Sequence, residues 1–172
     1  MRVPPRLRLI GTLLFFGLLG PVLRSVATEP CVFCEIAAGK IQLESVVYRD
    51  SRCIAFLAIG PRNPGHLLIV PLVHADNFLA VPADTMHAMT DVARKLALAL
   101  KRTDLPCEGF VLQMNTGKAA GQAVFHAHLH LIPRYAAEPP EQRPERRVSP
   151  SELAPVAAKI RAALAEPAPP SL

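Results

Sequence analysis

The sequence predicts an α+β domain with a largely antiparallel sheet, one long helix, a short helix ahead of the sheet and another behind it. Three observations carry this reading. Short β-rich runs fall in two groups, 45–70 and 108–134, each bounded by turn residues. Between them lies a single long stretch with apolar residues at helical spacing. The resulting order, helix, strands, helix, strands, helix, is that of an α+β domain.

Taken in order, residues 31–40 read as a short helix stopped by Gly39. Residues 45–49 and 53–59 form a hairpin across Asp50 and Ser51. A dense breaker cluster, GPRNPG at 60–65, precedes a continuous apolar run at 66–70 that ends at Pro71 and reads as a buried central strand. Residues 82–102 are the main helix, with Met86, Met89, Ala93, Leu96 and Leu100 facing the sheet. Asp84 near its start and Lys101 and Arg102 at its end suit the helix dipole. A further strand spans 108–115, and the core domain is set at 29–135. Residues 136–150, rich in proline and charge, read as a loose linker. The remainder, 151–172, is an amphipathic helix capped by Ser151 with a proline-rich tail that frays.

The first 28 residues stand apart. Arg2, Arg6 and Arg8 precede a nearly unbroken apolar stretch from Leu9 to Leu23, followed by Ser25, Val26 and Ala27 in the small-residue pattern of a cleavage site. A signal peptide, an uncleaved anchor associating with a membrane through residues 7–24, and a start codon placed too far upstream all fit. Each implies a different location: exported, membrane-anchored or cytoplasmic. The formal charge of +5 belongs largely to this leader. Without its four arginines the chain has 15 basic and 14 acidic residues, a net of +1, which excludes an electrostatic nucleic-acid binder.

The chemistry is concentrated in residues 124–134, VFHAHLHLIPR. His126, His128 and His130 alternate with Ala127, Leu129 and Leu131, so in a strand three imidazoles share one face, about 6.8 Å apart between alternate positions. Upstream lies the turn-rich loop 115–122, NTGKAAGQ, whose backbone N–H groups are suited to an anion. A donor-lined loop beside imidazoles suggests a phosphate site. Of the four cysteines, Cys31 and Cys34 form a CxxC pair that suits zinc or redox chemistry, or a disulfide if the chain is exported. Cys53 and Cys107 lie in apolar strand-like runs and read as core thiols. His87, off the apolar stripe of the main helix, and Lys118 read as solvated.

These residues resemble the histidine triad (HIT) family of nucleotide hydrolases and transferases, whose motif stands here as HAHLHLI at 126–132. CVFCEI at 31–36, GHLLIVPLVH at 65–74, Asn115 and the GQ pair at 121–122 extend the likeness from Cys31 to Tyr135, closest to the bacterial branch with the cysteine pair. The resemblance implies that His128 attacks the α-phosphorus of a nucleotide phosphoramidate, phosphate ester or dinucleoside polyphosphate, forming a nucleotidyl–histidine. It further implies that His130 hydrogen-bonds the phosphate or leaving group, that His66 orients the nucleophile, and that Asn115 with the amides of Gly121, Gln122 and Ala123 positions the phosphate oxygens. By the same likeness Phe33, Ile36, Phe56 and Ile59 form the base and ribose pocket. Cys31, Cys34, His74 and His126 match structural Zn²⁺ ligands, two thiolates and two imidazoles with no open position. The resemblance implies no catalytic cofactor, a purine nucleoside phosphate as substrate, and a homodimer.

Two positions depart from the family pattern. Ala58 stands where an acid usually grips the ribose hydroxyls, and Ala123 where Ser or Thr often follows Gly-Gln. Each lost hydrogen bond costs about 0.5–1.5 kcal/mol, more if a partner stays buried and unpaired, which weakens turnover roughly tenfold without abolishing it. A nucleotide-binding module with weak or no turnover is therefore a second expectation. A catalytic metal on the histidines is a third, disfavoured because no carboxylate ligand stands at a suitable spacing.

Overall fold

The computed structural model describes residues 30–105, 107–136 and 147–167. The leader, including the possible anchor at 7–24, most of the linker, and the end of the tail lie outside these residues. Among the described residues no helix is long and apolar enough to cross a membrane.

Five strands form one antiparallel sheet: β1 (Val46–Arg49), β2 (Cys53–Leu57), β3 (Leu67–Pro71), β4 (Gly109–Gln113) and β5 (Leu129–Arg134), in the order β1-β2-β3-β5-β4. The α+β class and the antiparallel sheet are as expected from the sequence. The β1–β2 turn is fixed by Asp50, whose carboxylate accepts the backbone N–H groups of Arg52 and Cys53 at 2.7 Å each.

Side-chain alternation gives the sheet two different faces. On one, Leu57, Leu67, Ile69, Leu129 and Leu131 pack against helix α2 (Ala83–Leu100) and helix α3 (Pro150–Ala165). Met89, Ala93, Leu96 and Leu100 of α2 are buried there, as their spacing predicts, and Met86 is half-buried at the rim. Full burial of one such large side chain contributes about 1.5–3 kcal/mol, so this layer is the main source of stability. The other face carries a smaller cluster of Phe33, Ile36, Ile54, Phe56 and Val70 beneath helix α1 (Val32–Ala37).

Three details differ from the expectation. Helix α3 begins earlier: Ser149 is its cap, with its backbone N–H donating to the Glu152 carboxylate at 3.0 Å, and Ser151 lies inside the helix. The linker's last residues are held, because the Val148 N–H donates to the Ile59 carbonyl at 2.8 Å and α3 shares the core of the sheet. Cys53 is fully buried as predicted, but Cys107 is half-buried ahead of β4, its thiol directed at the Gly109 carbonyl at 3.3 Å.

Candidate active site and metal centre

Register on the second face builds the site. Phe56 pairs with Leu68, Leu68 with His130, and His130 with Gln113, so these side chains form one row across four strands. The α1 cluster covers the β2 end of the row, and the imidazole of His130 lies toward the open β4 end. Of the three alternating histidines only His130 lies within a strand. His126 and His128 belong to the segment leading into β5, because the Ala127 N–H turns away from the sheet to the Ala75 carbonyl. The rings stay close nonetheless: those of His128 and His130 are 4.9 Å apart at their centroids.

Hydrogen bonds fix the tautomers. Nδ1 of His128 lies 2.7 Å from the His126 carbonyl, which can only accept, so Nδ1 carries the proton and Nε2 presents a lone pair. The Nε2 atom has no partner among the described residues. In a second series of hydrogen bonds, the backbone N–H of Arg62 donates to Nδ1 of His66 at 3.2 Å, leaving the proton on His66 Nε2. That Nε2–H reaches Nδ1 of His130 at 2.9 Å, so a neutral His130 carries its own proton on Nε2. Burial, the nearby Arg62 and His128 depress His66 to about 4. Burial, His66, His128 and Arg62 depress His130 to about 3. Burial also lowers His128, opposed by its bond to the His126 carbonyl. All three rings are neutral at pH 7.

Gly65 places His66. Its φ of +80° is a conformation favoured by glycine, and a Cβ there would stand 3.0 Å from Leu100 Cδ2 and 3.3 Å from Pro133 Cγ. The turn is therefore pressed against the core, and β3 starts directly after His66.

The histidines open onto a cleft of about 320 Å³ lined by Arg62, Gln113, Asn115, Ala123, His128 and His130, among others. The 115–123 loop forms its rim and is held by its own side chains. Gln122 is buried, its Oε1 accepting the Gly117 N–H at 2.8 Å and its Nε2 donating to the Asp76 carbonyl at 2.6 Å. Asn115 accepts from Gln113 and donates to the Gly121 carbonyl at 3.3 Å. The Gly121 and Gln122 amides are already committed within the loop, to the Lys118 and Gly117 carbonyls at 2.9 and 3.1 Å. Of the three amides expected to face phosphate, only that of Ala123 lacks an acceptor among the described residues.

The expected base pocket is brought together in part. Phe33, Ile36 and Phe56 are 7, 5 and 4 % exposed, and the edge of Phe33 meets the His128 ring with centroids 5.3 Å apart. Ile59 lies outside this cluster at 55 % exposure, because the end of β2 is drawn toward Val148 instead. The three buried side chains pack on one another and do not line the 320 Å³ cleft. His87 and Lys118 are exposed, as expected.

A second constellation sits beside the first. Cys31, at the start of α1, Cys34, His74 and His126 bring four donor atoms within 4.8 Å of one another. Both imidazoles direct Nδ1 at the thiols: His126 to Cys31 at 3.3 Å, His74 to Cys34 at 3.2 Å. Both hold Nε2–H on an acceptor, the Pro71 carbonyl at 3.0 Å and the Asp76 carboxylate at 2.9 Å. Such outer acceptors orient ligating histidines and raise their basicity. Burial and the neighbouring Cys31 push the Cys34 thiol up to about 11, so Cys34 becomes a thiolate at neutral pH only with a cation beside it. Two soft sulfurs and two anchored imidazoles fit zinc.

Arg62 and Gln113 are cleft residues that sequence reasoning missed. Arg62 is concealed in the breaker cluster, and its Nη1 meets Gln113 Oε1 at 3.2 Å across 51 residues of chain. Register alone would have shown Gln113, since it pairs with His130.

The comparisons agree with this geometry. A family model described as the HIT domain matches residues 40–137. An uncharacterized HIT-like protein of Saccharolobus solfataricus is 38% identical over 109 residues, 63% of this chain and 77% of that protein. An adenylylsulfatase of Arabidopsis thaliana, HINT3, is 34% identical over 115 residues, 67% of this chain and 57% of its own. The crystal structure of a Zn-bound histidine triad family protein from Mycobacterium smegmatis superposes with a TM-score of 0.70 at 32% identity, covering 78% of this chain and 93% of that one. With its domain matched over more than half its length and its four metal-facing side chains converged, the chain belongs to the HIT family, in the zinc-containing branch.

Proposed function

We propose that this protein is a nucleotide hydrolase or nucleotidyl transferase that works through a nucleotidyl–histidine at His128. The observation that carries the reading is the 2.7 Å bond from His128 Nδ1–H to the His126 carbonyl, which leaves the Nε2 lone pair at the cleft. A neutral imidazole is nucleophilic and its phosphoryl adduct is labile. Nε2 attacks the α-phosphorus, an N–P bond forms, and the bond to the leaving group breaks with its electron pair. His130, whose proton is fixed on Nε2 by the contact with His66, hydrogen-bonds the phosphate or the departing atom without releasing that proton. Asn115 and the Ala123 amide support the non-bridging oxygens, and Gln122 braces the loop that carries them. Water then attacks phosphorus, the P–N bond breaks, and nucleoside monophosphate and a proton are released. The adenylylsulfatase relative supports an adenylyl substrate.

Zinc, where bound by Cys31, Cys34, His74 and His126, supplies structural cross-linking and no step of the reaction. Cys31 and Cys34 of the α1 region and His126 ahead of β5 would be joined through it, which would hold in place the His126 carbonyl that orients His128. A homodimer is consistent with β4, an edge strand whose Val111 and Leu112 are 38 and 55 % exposed. Replacing His128 by Asn should abolish release of AMP from adenosine 5′-phosphoramidate, and unchanged turnover would refute the reading.

A nucleotide-binding module with weak turnover is favoured by one observation, the commitment of the Gly121 and Gln122 amides within their own loop. AMP binding by calorimetry without turnover of any adenylyl substrate would select it.

A further inference from the structure

We infer that Arg62 is the specificity residue for an anionic leaving group, so that the preferred substrates are adenylyl groups joined to an oxyanion, phosphate or sulfate, rather than to an amine. The inference rests on the function proposed above and extends it to the substrate class.

Four observations support it. Among the described residues Arg62 is the only permanently charged side chain lining the histidine cleft. It forms no ion pair with a carboxylate among the described residues, so its charge is left for a ligand. It is held in place: its backbone N–H anchors His66 and its guanidinium donates to Gln113 Oε1 at 3.2 Å, with Gln113 in turn donating to Asn115. Finally, its position is on the side of the cleft away from the metal centre, since Gln113 is the register partner of His130 on β4. The Arg62 charge is felt at His66 and His130.

Chemistry gives this placement a meaning. When Nε2 of His128 takes the α-phosphorus, the electron pair of the breaking bond goes to the leaving atom. An amine must gain a proton to depart, which water in the open cleft supplies, while the Nε2–H of a neutral His130 can only hydrogen-bond the departing atom. A phosphate or sulfate departs as the oxyanion, needs no proton, and gains negative charge as it goes. A guanidinium, always protonated and forked, stabilises that developing charge. It does little for a neutral amine. Buried neutral histidines alone give no net positive charge, so among the described residues Arg62 supplies the only one lining the cleft.

The test uses the full-length zinc-loaded protein as wild type, Arg62→Gln and Arg62→Lys. Adenosine 5′-phosphoramidate, ADP and adenosine 5′-phosphosulfate share the adenylyl group and differ in what leaves. The expected result is that Arg62→Gln lowers kcat/KM on ADP or the phosphosulfate by about 10- to 100-fold more than on the phosphoramidate. Arg62→Lys restores part of that selectivity, and the larger loss identifies phosphate or sulfate. Binding of inorganic pyrophosphate or sulfate, followed by calorimetry, weakens in Arg62→Gln at unchanged melting temperature. Equal losses on all three substrates would assign Arg62 a merely structural role through His66 and overturn the inference, as would equal turnover. Wild type that turns over the phosphoramidate alone would overturn it while leaving the His128 chemistry intact. Wild type inert on all three would remove both.

Discussion

His66 Nε2 and His130 Nδ1 face each other at 2.9 Å, and the Arg62 backbone N–H at the far side of His66 gives the contact its direction. Donor and acceptor are thereby assigned along the whole chain, ending in a proton on His130 Nε2.

That relay sets a pH dependence of stability. His66 titrates near 4 and His130 near 3 in the folded protein, against about 6.5 unfolded. Between these values the unfolded chain binds protons that the native state refuses. The contribution is full above pH 6.5 and is lost as pH falls toward 4, at about 1.4 kcal/mol per pH unit for each group. Urea unfolding of zinc-loaded wild type and His66→Gln at pH 7.5 and 5.5 checks this. The stability lost on acidification is expected to be smaller in the variant, and an identical loss would argue against a buried neutral His66.

Turnover carries the same signature. With His66 and His130 neutral above about pH 5, the kcat/KM profile should contain at most one ionisation from the site between pH 5 and 8. Two resolved acid-side ionisations in that window would contradict the relay.

Much of this was legible in the sequence, and the reasons for the rest are local. Alternation at 126–130 placed the imidazoles together, because a period of two survives even though β5 begins only at Leu129. The apolar stripe of α2 was readable for the same kind of reason. The committed amides of Gly121 and Gln122 were not, since whether a loop donates inward or outward depends on its closure by Gln122, 46 residues from its Asp76 acceptor. Arg62 was hidden because a breaker cluster signals a turn and says nothing of where its one long side chain points. The position of Ile59 outside the Phe33 cluster was not readable, because its carbonyl accepts from Val148, a contact across a segment with no pattern of its own.

Metal removal should separate structure from chemistry. Cys34→Ser is expected to lose bound zinc and to lower Tm by about 5–15 °C, the shift produced by a loss of roughly 2–4 kcal/mol at this size. Elemental analysis and calorimetry measure both. Full activity retained with zinc absent would show that the metal does not support the His126 carbonyl.

Gly65→Ala tests the placing of His66. A side chain at φ +80° against Leu100 and Pro133 should cost about 1–3 kcal/mol. Displacement of the relay should lower kcat more than it raises KM. A variant with wild-type Tm and kcat would show that the turn is looser than its contacts imply.

The N-terminus has its own test. Amino-terminal sequencing of the native protein distinguishes a start at Thr28 from an intact Met1 or an internal start within 1–28, and so separates export, anchoring and a dispensable leader.

The central claim, attack by His128 Nε2, is tested most directly by mixing the protein with an adenylyl substrate, quenching within a turnover and locating the adduct by peptide mass spectrometry. The account predicts one AMP group, labile in acid, on His128 and none in His128→Asn. An adduct on His66, His130 or any other residue, or turnover at full rate with no adduct trapped, would contradict it.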